Sequence, residues 1–360
     1  MKSEEIEAKK SELQIITKKD SFIDFLSEFH HLFGKGLRIY GLLTNKTIND
    51  IKEIFEKYGV NCVLNGEIMY CRWNIKGSNE LEFYTFFGDN NVLFIYTFEP
   101  ASDVYSIERI FRNTSGLYYM WISPLLLDQV KNKIIGKYEK TIISFFTAKR
   151  FDNIREKCEI RPGFRRNFRY RGDDGRETLR ELITNYGVLP RTIHFKIPTK
   201  AEFRVSYKGL ITFYRGDMKY VLSIFQYIQE NILQTKRIID TSVYEDIMQK
   251  RTYKDLNLQN IVPVSIELSA PLNAQSCSDL IQGINASKEF SSLNEAVIEG
   301  SLYFRTTLVD KEKNETLIIT SNGRKISVIK NATTSFASIL KFFQFVVERF
   351  DIDAKISAVS

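Results

Sequence analysis

Apolar and polar positions follow the same order in three separate stretches of this chain. Each stretch runs through one apolar-rich strand, pauses at a glycine, runs through a second strand, and then switches to apolar residues every three or four positions. The stretches are ELEFYTFFGDNNVLFIYTFEPASDVYSIERIF at 80–111, AEFRVSYKGLITFYRGDMKYVLSIFQYIQENI at 201–232 and ETLIITSNGRKISVIKNATTSFASILKFFQFVVERF at 315–350. Their turn glycines, Gly88, Gly209 and Gly323, lie 121 and 114 residues apart. Glycine suits a hairpin turn, and the flanks are β-branched and aromatic as strands require. The later helices carry apolar stripes, Val221, Leu222, Ile224, Phe225 and Ile228 in one and Phe336, Ile339, Leu340, Phe343, Val346, Val347 and Phe350 in the other. Stripes of this kind cover a sheet, so these aromatics read as core.

The flanking sequence extends the pattern. Upstream of the first hairpin the order is strand RIYGLL, helix INDIKEIFEKYG and strand CVLNGEIMYCRWNI; upstream of the third it is VPVSIELSA, SCSDLIQGINAS and AVIEGSLYFRTTLV. Both units therefore read as strand, helix, three strands, helix, an α+β fold of antiparallel sheets with helices on one face. The middle unit runs from GLYYMWIS through PLLLDQVKNKII and TIISFFTAKRF to RTIHFKI, EFRVSYK and LITFYRG, with an insertion at about 152–190. The expected domains are an N-terminal unit at 1–115, a middle unit at 116–240, a linker at 241–260 and a C-terminal unit at 261–360.

Composition narrows the class. The 360 residues are 43% hydrophobic and 26% charged, with 18 glycines and 7 prolines, which is the profile of a folded protein. No apolar run is long enough for a signal-peptide core or a membrane span, so no membrane partner is expected. The four cysteines, Cys62, Cys71, Cys158 and Cys277, form no C-x-x-C pair, which points to a reducing, intracellular setting, cytoplasm or nucleus.

Charge changes the picture more than composition does. The formal net charge is +7, yet residues 149–215 hold 17 Lys+Arg against 8 Asp+Glu, leaving 34 against 36 in the rest of the chain. The excess concentrates in RPGFRRNFRYRG, where Arg161, Arg165, Arg166, Arg169 and Arg171 alternate with Phe164, Phe168 and Tyr170. Guanidinium forks suit phosphate oxygens and aromatic faces suit bases, so this segment reads as a nucleic-acid-binding element. The competing reading is a network with Glu156, Glu159, Asp173, Asp174, Glu177 and Glu181, or a docking surface for another subunit. Complete pairing would still leave arginines without a carboxylate, and such self-repulsion is tolerated where a polyanion binds.

Catalytic chemistry has thinner support. The three histidines have no ligand-spaced cysteine partners, and no nucleophile elbow, phosphate-binding loop or dinucleotide fingerprint occurs, so neither a metal nor a cofactor is expected. Asp173, Asp174 and Glu177 in GDDGRE read as a turn leading into a helix. Glu80 and Glu82 point to one face of a strand, and with Glu267 they form the candidate catalytic set of a metal-dependent phosphohydrolase or triphosphatase.

Residues 261–350 resemble one half of the TATA-binding protein fold, in which the hairpin before the closing helix reads much like Leu317, Ile318, Ile319, Thr320, Ser321, Asn322, Gly323, Arg324 and Lys325. The resemblance reaches 116–240 only through element order. It implies a sheet face in a DNA minor groove with aromatic wedges beside the hairpin, whereas Ile319 and Thr320 stand where a wedge phenylalanine belongs. The resulting expectation is a non-enzymatic nucleic-acid-binding protein, DNA ahead of RNA, serving transcription or genome maintenance. A protein-interaction subunit of a larger complex is the further alternative.

Overall fold

The computed structural model describes residues 2–34, 36–75, 80–88, 92–151, 166–242, 263–297, 303–331 and 334–358. They divide into two compact units: the described parts of Met1–Arg112, Gly116–Arg150 and Glu159–Gln229, and those of Asn113–Ser115, Phe151–Cys158 and Glu230–Ser360.

The first unit contains α1 (Lys2–Ile15), α2 (Lys19–Phe29), a 3-10 turn at His30–Phe33, β1 (Leu37–Thr44), α3 (Ile48–Lys57), β2 (Val60–Asn65), β3 (Ile68–Asn74), β4 (Glu80–Phe87), β5 (Val92–Thr97), α4 (Ala101–Arg112) and β6 (Leu117–Tyr119). It continues with α5 (Pro124–Lys137), β7 (Ile142–Arg150), β8 (Asn167–Arg171), α6 (Gly175–Tyr186), β9 (Val188–Ile197), β10 (Ala201–Ser206), β11 (Leu210–Gly216) and the first half of α7 (Met218–Thr241). The strands make one sheet in the order β2-β3-β4-β5-β1-β11-β10-β9-β7-β8, with β6 paired to β1. Residues 1–115 and 116–240, expected as separate units, thus share a sheet: β1 pairs antiparallel with β5 on one side and β11 on the other.

Helices cover both faces of this sheet, where the sequence pattern led us to expect one. Ile51 and Phe55 of α3 and Val104, Ile107 and Phe111 of α4 share a core with Leu42, Cys71, Phe83 and Ile95. From the opposite face Phe22 of α2 meets the rings of Tyr84, Phe86 and Tyr96 at centroid distances of 5.4, 5.8 and 5.5 Å. The physical reason lies in β4 and β5, which are apolar on both sides and cannot leave either to water. α3 itself starts at a reciprocal cap, with the Thr47 hydroxyl accepting from the Asp50 N–H and the Asp50 carboxylate accepting from the Thr47 N–H.

The second unit holds β12 (Val264–Glu267), α8 (Ala274–Asn285), β13 (Phe290–Val297), β14 (Tyr303–Asp310), β15 (Glu315–Asn322), β16 (Lys325–Lys330), α9 (Phe336–Arg349) and β17 (Lys355–Ala358). Its sheet runs β13-β14-β15-β16-β12-β17. Here burial alternates, with Leu317, Ile319 and Ser321 inside and Thr316, Ile318 and Thr320 half-buried, so the sheet has a single core face. α9 packs Phe342 and Phe345 on Phe290 at 5.9 Å each. Two of its polar residues are also buried: Lys341 Nζ reaches Asp310 at 2.7 Å, and the Ser338 hydroxyl donates to Glu315 at 2.8 Å. These bonds satisfy two carboxylates that the sheet takes out of water.

Both units are α+β with antiparallel sheets. Among the described residues no helix is long and apolar enough to cross a membrane. The linker expected at 241–260 lies outside the described residues from position 243 onward.

Candidate nucleic-acid interface

The described part of the insertion expected at about 152–190 is woven into the first sheet. Arg161, Phe164 and Arg165 lie outside the described residues, but the segment from Asn167 forms β8, which pairs with β7, and α6 follows directly. The alternation of NFRYR then decides which side chains go where. Phe168 and Tyr170 face α6. Phe168 meets Tyr186 at 5.9 Å, and Tyr170 stacks on Phe146 at 5.0 Å with 15° between the rings. The Tyr170 hydroxyl also bonds the Asp174 carboxylate, which holds that carboxyl below its usual range. These two aromatics, expected as base-stacking groups, are occupied in packing the strand to its helix. Arg166 lies just before β8 with its guanidinium 4.6 Å from the Tyr186 ring.

Arg169 and Arg171 project from the other face and are exposed. Register identifies their companions. One row across the sheet runs Arg171, Phe145, His194, Arg204, Thr212 and Arg38 from β8 to β1. A second contains Lys196, Glu202 and Arg215, and a third Arg169, Thr147, Thr192 and Ser206. Between these residues on β9 and β10 stand Ile193, Phe195, Phe203 and Val205, all fully buried toward the opposite side. Among the described residues this sheet face therefore collects Arg169, Arg171, Lys196, Arg204 and Arg215, with Glu202 as the one carboxylate in the same three rows.

The contacts on this face are cationic and aromatic. The guanidinium carbons of Arg169 and Arg204 lie 5.6 and 4.8 Å from the centre of the Phe145 ring, and Arg204 also lies 5.8 Å from Tyr214. Arg215 pairs with Glu202 at 2.8 Å, and His194 Nε2 is 3.2 Å from the other oxygen of the same carboxylate. Burial, and then the charge of Arg204, push the His194 pKa down to about 4, so the imidazole is neutral at pH 7. Lys196 Nζ is 4.0 Å from the exposed Asp173. Among the described residues, no carboxylate pairs with Arg169 or Arg171. Arg38, at the far end of the row, is buried and donates to the carbonyls of Gly36 and Phe98.

Lys196, Arg204 and Arg215 were not singled out as binding residues, although every second residue of RTIHFKI and EFRVSYK is polar. That period was the available signal.

The carboxylates considered for metal chemistry belong to two different sheets. Glu80 and Glu82 share a face of β4, and Arg72 engages both, at 3.2 and 3.4 Å. Tyr70 donates to Glu82 at 2.6 Å, and burial together with that bond pushes the phenol up to about 12. Glu267 belongs to the other sheet, on β12, where it accepts from Ser357. Among the described residues no group of three or more His, Cys, Asp or Glu is placed to hold a metal ion.

Comparison with known proteins adds two findings. A curated relative, an uncharacterised protein of Archaeoglobus fulgidus, is 24% identical over 245 residues, a stretch covering 65% of this chain. The chain spans 66% of that relative's length. Residues 126–208 match a protein-family model described as a family middle domain, a stretch that runs from α5 to the β10–β11 turn and carries Arg169, Arg171, Lys196 and Arg204.

Proposed function

We propose that this chain binds nucleic acid, DNA ahead of RNA, on the β7–β11 face of its first sheet, without catalysing a reaction on it. The observation that carries the reading is the placement of five cationic side chains from four strands on one sheet face, whose rows of described residues hold one carboxylate, Glu202. Adjacent strands lie about 4.8 Å apart, so such charges are spaced along the sheet by distances a phosphate backbone can follow. Arginine forks held over Phe145 present flat, weakly hydrated cations, which suit phosphate oxygens and the faces of bases alike. We assign the interface to this sheet and not to residues 261–350, where the resemblance to the TATA-binding protein would put it, because that stretch carries nine charges of each sign.

Fluorescence anisotropy of labelled duplex DNA, single-stranded DNA and RNA across a salt series tests the reading. Affinity should fall steeply with salt, and Arg169→Ala, Arg171→Ala and Arg204→Gln should each lower the log–log slope by about one. A triple variant that binds as tightly as the parent, with the same slope, would falsify the assignment.

A further inference from the structure

Two cysteines that lie nine positions apart in sequence meet across a hairpin. Cys62 of β2 and Cys71 of β3 are direct partners in the antiparallel register, with their sulfur atoms 3.3 Å apart. Both are free thiols. We propose that Cys62 and Cys71 are a redox modification site that closes reversibly to a cross-strand disulfide.

Geometry is the first support. Antiparallel partners have Cα separations of about 4.5–5.5 Å, inside the window of about 4.4–6.8 Å that a disulfide accepts. The sulfurs, 3.3 Å apart, have only a short way to close to the bonding distance of about 2 Å. The surroundings are the second support. The pair sits in the apolar core with Phe55 of α3 and Phe83 of β4, and among the described residues no His, Asp or Glu joins the two sulfurs as the further ligands a zinc site needs. Position is the third. Among the described strands β2 has β3 as its one neighbour, so this end of the sheet can open locally without breaking the whole.

The two thiols differ in access. Cys62 keeps 6% of its surface exposed and Cys71 none. Burial and the neighbouring Cys62 raise the Cys71 thiol well above its ordinary pKa. Cys62 therefore meets an oxidant first. With a small-molecule disulfide as oxidant, the Cys62 thiolate attacks one of its sulfurs and expels the first thiolate, leaving a mixed disulfide. Cys71 then loses its proton, attacks the Cys62 sulfur and expels the second. The protein loses two protons and two electrons, and the oxidant becomes two thiols.

The test uses the full chain in glutathione buffers of graded ratio, with alkylation after denaturation, intact mass and peptide mapping. The expected result is joint loss of both thiols, a product about 2 Da lighter containing a Cys62–Cys71 cross-linked peptide, and full reversal by a dithiol reductant. In Cys71→Ser the reaction should stop at a glutathione adduct on Cys62. Wild-type protein that keeps both thiols in the most oxidising buffer, or accumulates a stable adduct on Cys62 in place of the cross-link, overturns the proposal. The wild-type map alone decides if the variant does not fold.

Discussion

His194 stands between Phe145 on β7 and Arg204 on β10, with Glu202 at its Nε2. Its pKa of about 4, against 6.5 for an ordinary histidine, fixes a pH dependence. As pH falls through 6.5 the unfolded chain takes up a proton that the folded chain refuses until about pH 4. The stability associated with neutral His194 is therefore complete above pH 6.5, drains away between 6.5 and 4, and changes no further below that. The whole effect is on the order of 3 kcal/mol at most. Urea midpoints at pH 7.5 and pH 5 should accordingly separate more for the parent than for His194→Gln. Equal separations would mean that the imidazole titrates normally.

At the scale of elements, the short connection from β8 into α6 carries the most constraint. A Cβ on Gly175 would lie 2.1 Å from the carbonyl oxygen of Ile143, a backbone atom that cannot turn aside. Gly175→Ala should thus push α6 off β7, cost roughly 1–3 kcal/mol in denaturant titrations, and weaken the proposed nucleic-acid binding because β8 moves with it. A variant of parental stability would show that the connection yields easily. Elsewhere the sequence was legible: the hairpins of β4–β5, β10–β11 and β15–β16 followed from their turn glycines and their β-branched and aromatic flanks. The roles of Phe168 and Tyr170 did not. In NFRYR the arginines and aromatics occupy opposite parities, so a strand must send them to opposite faces, yet a linear string does not say which face α6 will claim. Reading the segment as an insertion hid that parity. Cys62 and Cys71 were likewise invisible as a pair while CVLNGEIMYCRWNI stood as one strand; once the chain turns at Gly66, the register makes them opposite.

At the scale of the first unit, β1 makes two similar half-sheets into one structure, and close packing at its middle leaves no slack. A Cβ on Gly41 would meet Met120 and Phe225 side-chain atoms at 2.4 and 2.8 Å. Both tryptophans of the chain, Trp73 and Trp121, belong to this unit, so their fluorescence follows it selectively. Urea unfolding read by tryptophan should show a single transition, and Phe83→Leu near one end and Phe195→Leu near the other should both lower its midpoint, each by about 1–2 kcal/mol of stability. Two transitions, each responding to one variant, would mean that the halves unfold independently. The merger of the expected N-terminal and middle units was hidden from the sequence because strand pairing between β1 and β11 is set by partners more than 160 residues apart.

β8 closes the described order of the first sheet, and an edge strand offers its spare backbone N–H and C=O groups to any other strand that comes near. Two copies aligning their β8 edges would bring Arg169 and Arg171 against the same residues of the other copy, and the mutual repulsion works against sheet-to-sheet aggregation. The side chains offered here for gripping phosphate are in this respect also gatekeepers of solubility. Lysine at both positions would keep the molecules apart while losing the planar fork, whereas neutral residues would surrender both properties together.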